Sequence, residues 1–181
     1  MPSPTQTSHS PSAPRSAELY GQIIPIEGDA VLLPNAAVVE VRSMEDIKVR
    51  SEPPGWLLGT IRWREHELPV ISLEGLMGRP IPARGRRSRL IVVNSLGSRL
   101  SQGLLAIVIQ GYPHLTALNR SALQATHREQ RDPDALVLSR VRVANTQAII
   151  PDLEAIEARV AEVLPALGSP PPDADWEPAL Q

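Results

Sequence analysis

The stretch "GWLLGTIRWREHELPVISL", residues 55–73, decides the reading of this chain. Two apolar arms, "LLGTIRW" and "ELPVISL", flank a tip of basic, acidic and imidazole side chains from Arg62 to Glu67. Period-2 alternation places Ile61 and Trp63 on one face of the first arm and Arg62, Arg64 and His66 on the other. Such a hairpin packs its apolar face inward and shows a charged tip to solvent.

The flanking sequence repeats this β-rich pattern in short runs. "LYGQIIPI" (19–26) and "AVLLP" (30–34) are separated by "EGD" and read as a hairpin, followed by "AAVVEVR" (36–42). "RLIVVNS" (89–95) and "GLLAIVI" (103–109) form a second apolar pair across a Gly-containing turn. "LVLSRVRVAN" (136–145) alternates Val141 and Val143 with Arg140 and Arg142, and "QAIIP" (147–151) follows an Asn-Thr turn. One segment is clearly helical: "DLEAIEARVAEVL" sets Leu153, Ile156, Val160, Val163 and Leu164 on one face, with Asp152 as N-cap and Pro165 as stop. A short turn is expected at 73–78. The sum is nine or ten short strands and a C-terminal helix, which suggests compact barrels, and no internal sequence repeat is visible.

Composition agrees. The chain has no Phe and no Cys but abundant Val, Ile and Leu, which suit small barrels and exclude disulfides and thiolate chemistry. A net charge of -2 creates no field drawing the molecule to nucleic acid or anionic lipid. Residues 1–17 and 165–181 are Pro-rich and poor in apolar side chains, so both are expected to be disordered tails around a folded unit of 18–164. The first residues do not read as a signal peptide and no apolar run approaches membrane-spanning length, so the cytosol is the expected compartment and membrane insertion is unexpected.

Catalytic patterns are missing. His66-Glu67 begins like a zinc-protease motif, but Val70 stands where the second His is required. His9, His114 and His127 lie in expected loops or the tail. No Gly-x-Ser-x-Gly and no Gly-rich phosphate loop occurs. The carboxylate pairs Glu45/Asp46 and Glu65/Glu67 fall in expected turns with nothing to raise a pKa. The reading is therefore a non-enzyme without metal or cofactor. The run "GRPIPARGRRSR" places Arg79, Arg84, Arg86, Arg87 and Arg89 together, so a barrel gripping nucleic acid through 79–89 is the alternative. The run lacks an aromatic for base stacking, and Arg outnumbers Lys 17 to 1 throughout. A small-molecule sensor with a pocket between barrels is a third possibility.

The order of motifs resembles the CheW-like domain of bacterial chemotaxis coupling proteins over about residues 18–160. The family's run ending in Pro appears as "VLLP" (31–34), and its Val-x-Glu-Val as Val38-Val39-Glu40-Val41. Its signature, "GVINLRGxVVPVIDL", is matched through Gly59, Ile61, Arg64, Pro69, Val70, Ile71 and Leu73. Gly103-Leu104-Leu105-Ala106 and the 149–156 segment match its later strands. The combination "LLPN…VVEV…WLLGTIRWR…LPVIS" is most similar to the ChpC-like subgroup of type IV pilus chemosensory systems. This chain departs from the signature at Arg62, Trp63, Glu65 and Ser72, and at Ile107, where the family has Asp after its later Gly-Leu-Val-Val strand. The resemblance implies a mainly β fold of two small interlocked SH3-like five-stranded barrels with a C-terminal α-helix. It implies an adaptor bridging a chemoreceptor cytoplasmic tip and a CheA-type histidine kinase, in a chemotaxis or twitching-motility pathway. The partner-binding residues it implies are Val38, Glu40, Gly59, Arg62 and Arg64. Arg64 offers a fork for a partner carboxylate, and an intramolecular pair with Glu40 is the alternative.

Overall fold

The computed structural model describes residues 19–44, 47–49, 54–119, 123–125 and 136–167. The expectations for the 1–17 tail and for Glu45/Asp46 lie outside the described residues; of the 165–181 tail only 165–167 are described, and they form part of a 3-10 turn where a disordered tail was expected.

β1 (Leu19–Ile26) and β2 (Asp29–Pro34) form the expected hairpin, with Ile26 opposite Asp29 and Gly28 at φ 72 in the turn. Asn35–Ala37 then make a 3-10 turn, so β3 starts at Val38 (Val38–Ser43), two residues later than the apolar run suggests. β4 (Leu57–Trp63) and β5 (His66–Ile71) are the arms of the opening stretch, followed by the one-turn helix α1 (Leu73–Leu76). β6 (Arg89–Asn94) and β7 (Leu104–Ile109) make the second apolar pair. β8 (His114–Leu118) and β9 (Leu123–Ala125) were not foreseen, and His114 opens a strand rather than sitting in a loop. β10 (Val137–Val143), β11 (Thr146–Pro151) and α2 (Leu153–Val163) complete the order, and the chain continues as a 3-10 turn over Leu164–Leu167.

Two sheets result, in the orders β3-β6-β7-β5-β4 and β8-β1-β2-β11-β10-β9. The first, barrel B, uses the continuous segment 38–109. The second, barrel A, combines the N-terminal hairpin with the last four strands, so the chain leaves A, builds B and returns. This is the interlock, and the three-residue β9 makes sheet A six-stranded. Barrel B closes where Lys48 and Thr60 exchange two 2.9 Å backbone hydrogen bonds. Next to the closure lies Gly59, at φ 131: a Cβ there would sit 2.2 Å from the Lys48 carbonyl oxygen. Glycine is the residue that permits both the backbone angle and the approach.

The barrels share one topology. Each has an edge strand (β3; β8), a two-residue-turn hairpin (β4–β5; β10–β11), an N-capped helix and a buried hairpin (β6–β7; β1–β2). Each has one parallel pairing, Val70 with Ala106 in B and Ile149 with Val31 in A. Ser72 Oγ accepts from the Gly75 N–H at 3.2 Å, and Asp152 Oδ1 accepts from the Ala155 N–H at 3.0 Å, so both helices start alike.

The two buried hairpins explain the unbroken apolar runs. In β6 and β7, Leu90, Val92, Ala106 and Val108 fill barrel B, while Ile91, Val93, Leu105, Ile107 and Ile109 face the seam. In β1 and β2, Ala30 and Leu32 fill barrel A, while Ile24, Ile26, Val31 and Leu33 face the same seam. Leu153, Ile156 and Val160 of α2 cover it, as the helical stripe predicted, with Val163 and Leu164 partly buried at its edge. The seam is thus filled by an apolar, largely aliphatic core.

Two buried carboxylates clasp the barrels reciprocally. Glu74 on α1 accepts the Glu27 N–H from the β1–β2 turn at 3.0 Å and the Ser72 hydroxyl at 2.7 Å. Glu157 on α2 accepts the N–H groups of Gly97, Arg99 and Leu100 in the β6–β7 loop. Each helix therefore holds the other barrel's hairpin turn. Burial alone would push the Glu157 carboxyl up, but the Ser95 hydroxyl and the three backbone donors outweigh it and hold the pKa below the ordinary 4.5.

Candidate functional site

The charged tip forms where β4 turns into β5. Trp63 pairs with His66, leaving Arg64 and Glu65 as a two-residue loop. The family signature has Gly in the place of Glu65, yet it is Arg64 that takes the left-handed backbone, at φ 54. That conformation costs a non-glycine residue on the order of 1 kcal/mol. Arg64 therefore belongs to the turn and not to the outward face of β4.

Below the tip, Ile61 and Trp63 point into barrel B, 1% and 5% exposed, as the alternation requires. Trp63 is not merely filling. Its indole N–H donates to Glu40 Oε2 at 2.8 Å, and the Arg64 guanidinium lies 4.3 Å from its ring centroid. Glu40 Oε1 stands 3.7 Å from Arg42 Nε. The structure thus replaces the considered Arg64–Glu40 pair with an indole between the two charges. Arg62 is exposed, opposite Glu67 on β5, and its Nε reaches the Arg64 carbonyl at 3.5 Å.

The five residues implied by the resemblance divide into two groups. Glu40, Arg62 and Arg64 are exposed and come together at the tip around Trp63. Val38 is half-buried against the seam, and Gly59 is buried under the Lys48 backbone. These two lie in the barrel wall, away from the cluster around Trp63. Sequence reasoning placed Trp63 only in the core and missed its polar role; an indole at an inward position, needing an acceptor, is the signal that could have shown it.

The signature departures at Ser72 and Ile107 are internal. Ser72 is 1% exposed and caps α1, and Ile107 is 2% exposed in the seam. Both changes leave the surface alone.

The 79–89 run does not act as one patch. Arg79 donates to the Glu27 carbonyl at 3.4 Å, while Arg89 donates to the Arg86 and Ser88 carbonyls at 2.8 Å and lies against the Tyr112 ring. Of the five arginines in the run only Arg84, Arg86 and Arg87 are exposed, so the geometry gives the nucleic-acid alternative no support. Among the described residues, no group of three His, Asp or Glu could hold a metal ion, and no helix is long and apolar enough to cross a membrane.

Comparison with known proteins points one way. A family model described as the CheW-like domain matches residues 5–160. Among solved structures, the scaffolding protein TtCheW from Thermoanaerobacter tengcongensis is similar in fold. It superposes with a TM-score of 0.63 at 19% identity, over 75% of this chain and 89% of that one. No curated protein matches the sequence.

Proposed function

This chain belongs to the CheW-like domain family, a family of chemotaxis scaffold and coupling proteins, and from that membership we propose that it is a non-enzymatic adaptor linking a chemoreceptor cytoplasmic tip to a CheA-type histidine kinase. The observation that carries the reading is the tip of barrel B. Glu40, Arg62 and Arg64 converge at one hairpin, and Arg64 presents a planar cationic fork suited to a partner carboxylate. A closed barrel with an apolar interior is a platform for such contacts. The motif combination "LLPN…VVEV…WLLGTIRWR…LPVIS" supports a place in a type IV pilus, twitching-motility pathway, in the cytoplasm, without a cofactor.

The test is capture with purified receptor cytoplasmic fragments and a CheA-type kinase. Recovery of at least one is expected, with Arg64→Glu lowering it. Recovery of neither, together with salt-sensitive RNA binding, would replace this reading with the nucleic-acid one.

A further inference from the structure

The shared topology of the barrels supplies an internal comparison for the tip. The β4–β5 and β10–β11 hairpins have the same two-residue turn, and the first turn residue is left-handed in both, φ 54 at Arg64 and φ 52 at Ala144. The buried residue before each turn differs. Barrel A has Val143, 2% exposed, with no polar atom; barrel B has Trp63, 5% exposed. Closing this kind of barrel therefore requires neither an indole nor a cation at the turn. At the B tip both are present, and they are in contact.

We propose that Trp63 is a positioning residue for partner recognition, holding Glu40 through its N–H and Arg64 through its ring face so that the Arg64 guanidinium is presented to a partner carboxylate. This rests on the adaptor reading above. The two tip charges are not equivalent. Glu40 has one oxygen on the indole and the other facing Arg42, so its charge is largely answered within the chain. Arg64 has the ring under its face, a contact that leaves its N–H edges available, and no hydrogen bond or ion pair among the described residues uses its guanidinium. The left-handed backbone fixes where that side chain begins, and the ring fixes where it ends. A fork held in place before binding loses less rotamer freedom on association. The partner surface it suits is acidic, and Glu40 beneath it keeps the indole from rotating away.

Affinity for a receptor cytoplasmic fragment and for the CheA-type kinase, measured by calorimetry on Trp63→Phe, Trp63→Leu, Glu40→Ala and the Trp63→Phe/Glu40→Ala pair, tests this. Trp63→Phe keeps a ring under Arg64 but loses the N–H, and should weaken binding about fivefold, the scale of one hydrogen bond. Trp63→Leu loses ring and N–H and should weaken it further, by about tenfold or more. Glu40→Ala and Trp63→Phe cut the same contact, so the pair should be no worse than the weaker single variant. A residue that only fills the barrel would lower thermal stability and leave the affinity of the folded protein unchanged. Trp63→Leu binding like wild type, or strictly additive losses in the pair, overturns the inference. Should Trp63→Leu fail to fold, the indole N–H resonance decides: Glu40→Ala must shift it and speed its solvent exchange, and an unmoved resonance refutes the contact. Wild type binding neither probe removes the adaptor reading itself, and this inference with it; wild type binding while the variants match it removes the inference alone.

Discussion

Gly59→Ala is the sharpest test of how barrel B closes. The residue stands at φ 131, a region that L side chains avoid, and the strain there is on the order of 1–3 kcal/mol. The added Cβ would lie 2.2 Å from the Lys48 carbonyl oxygen and 2.9 Å from Ile47 Cγ2. The first neighbour is backbone, so the 47–48 segment must withdraw, and both Lys48–Thr60 hydrogen bonds go with it. At about 0.5–1.5 kcal/mol for each bond, the total reaches roughly 2–6 kcal/mol, a large part of a typical stability of about 5–15 kcal/mol. Gly78→Ala is the control: its φ is 73 but nothing lies within 4 Å of the added carbon, so only the backbone term of about 1 kcal/mol applies. Urea unfolding of both variants, with amide exchange at Lys48 and Thr60, separates the terms. If Gly59→Ala loses no more than Gly78→Ala, the close approach does not hold the barrel shut. If it stays fully stable yet loses partner binding, Gly59 is a contact residue after all.

Other outcomes follow from the clasps and the tip. Glu157→Gln places an amide –NH2 against one backbone donor and should cost about 2–4 kcal/mol near neutral pH. Because the folded pKa of Glu157 is lowered, its stabilisation is complete above the unfolded value near 4.5 and is lost as pH falls through the folded value. The urea midpoint of wild type should therefore drop more steeply than that of Glu157→Gln below about pH 4.5, and parallel curves would refute the clasp. Ser72→Asp restores the family residue but sets a carboxylate beside the buried Glu74 carboxylate, 2.7 Å from the present hydroxyl. It should destabilise by about 3 kcal/mol in a thermal melt, despite the better cap. Arg64→Glu should change stability by less than about 1 kcal/mol, the worth of an exposed ring contact, while weakening partner binding by about 2–5 kcal/mol in a titration.

Strands that bury both faces were the most legible part of this chain. "RLIVVN" and "LLAIVI" announce themselves because barrel and seam both demand apolar side chains, and the helix from Asp152 showed its stripe and its cap. β8 was hidden because "HLTAL" is an edge strand with His114, Leu115 and Ala117 exposed, so no alternation marks it. The duplicated topology was hidden for another reason. Barrel A is built from both ends of the chain, so its order is a circular permutation of barrel B and no repeat runs along the sequence. The clasp residues are opaque in the sequence because a Glu on an amphipathic helix reads as part of its solvated face. Only the tertiary fold reveals that Glu157 meets three unpaired backbone donors. At the tip, alternation placed Ile61 and Arg62 correctly but could not show that Arg64 had left the strand.

The sharing of β6 and β7 between two cores bears on how the tip can act. Leu90 and Val92 pack in the same barrel interior as Trp63, while their chain neighbours Ile91 and Val93 pack in the seam beside Ile24 and Leu33 of the other barrel. A strand cannot shift toward one core without moving away from the other, because successive side chains point to opposite faces. A displacement of the indole therefore meets the packing of both barrels and not of one hairpin alone. Glu74 and Glu157 strengthen that coupling by tying each helix to the other barrel's turn. On the proposed adaptor reading, a tip anchored in this way favours the geometric bridging of two partners over adaptation to many. Substitution at the exposed Arg62 and Arg64 should therefore cost little stability, whereas Trp63 cannot be changed without disturbing the barrel core it helps to fill.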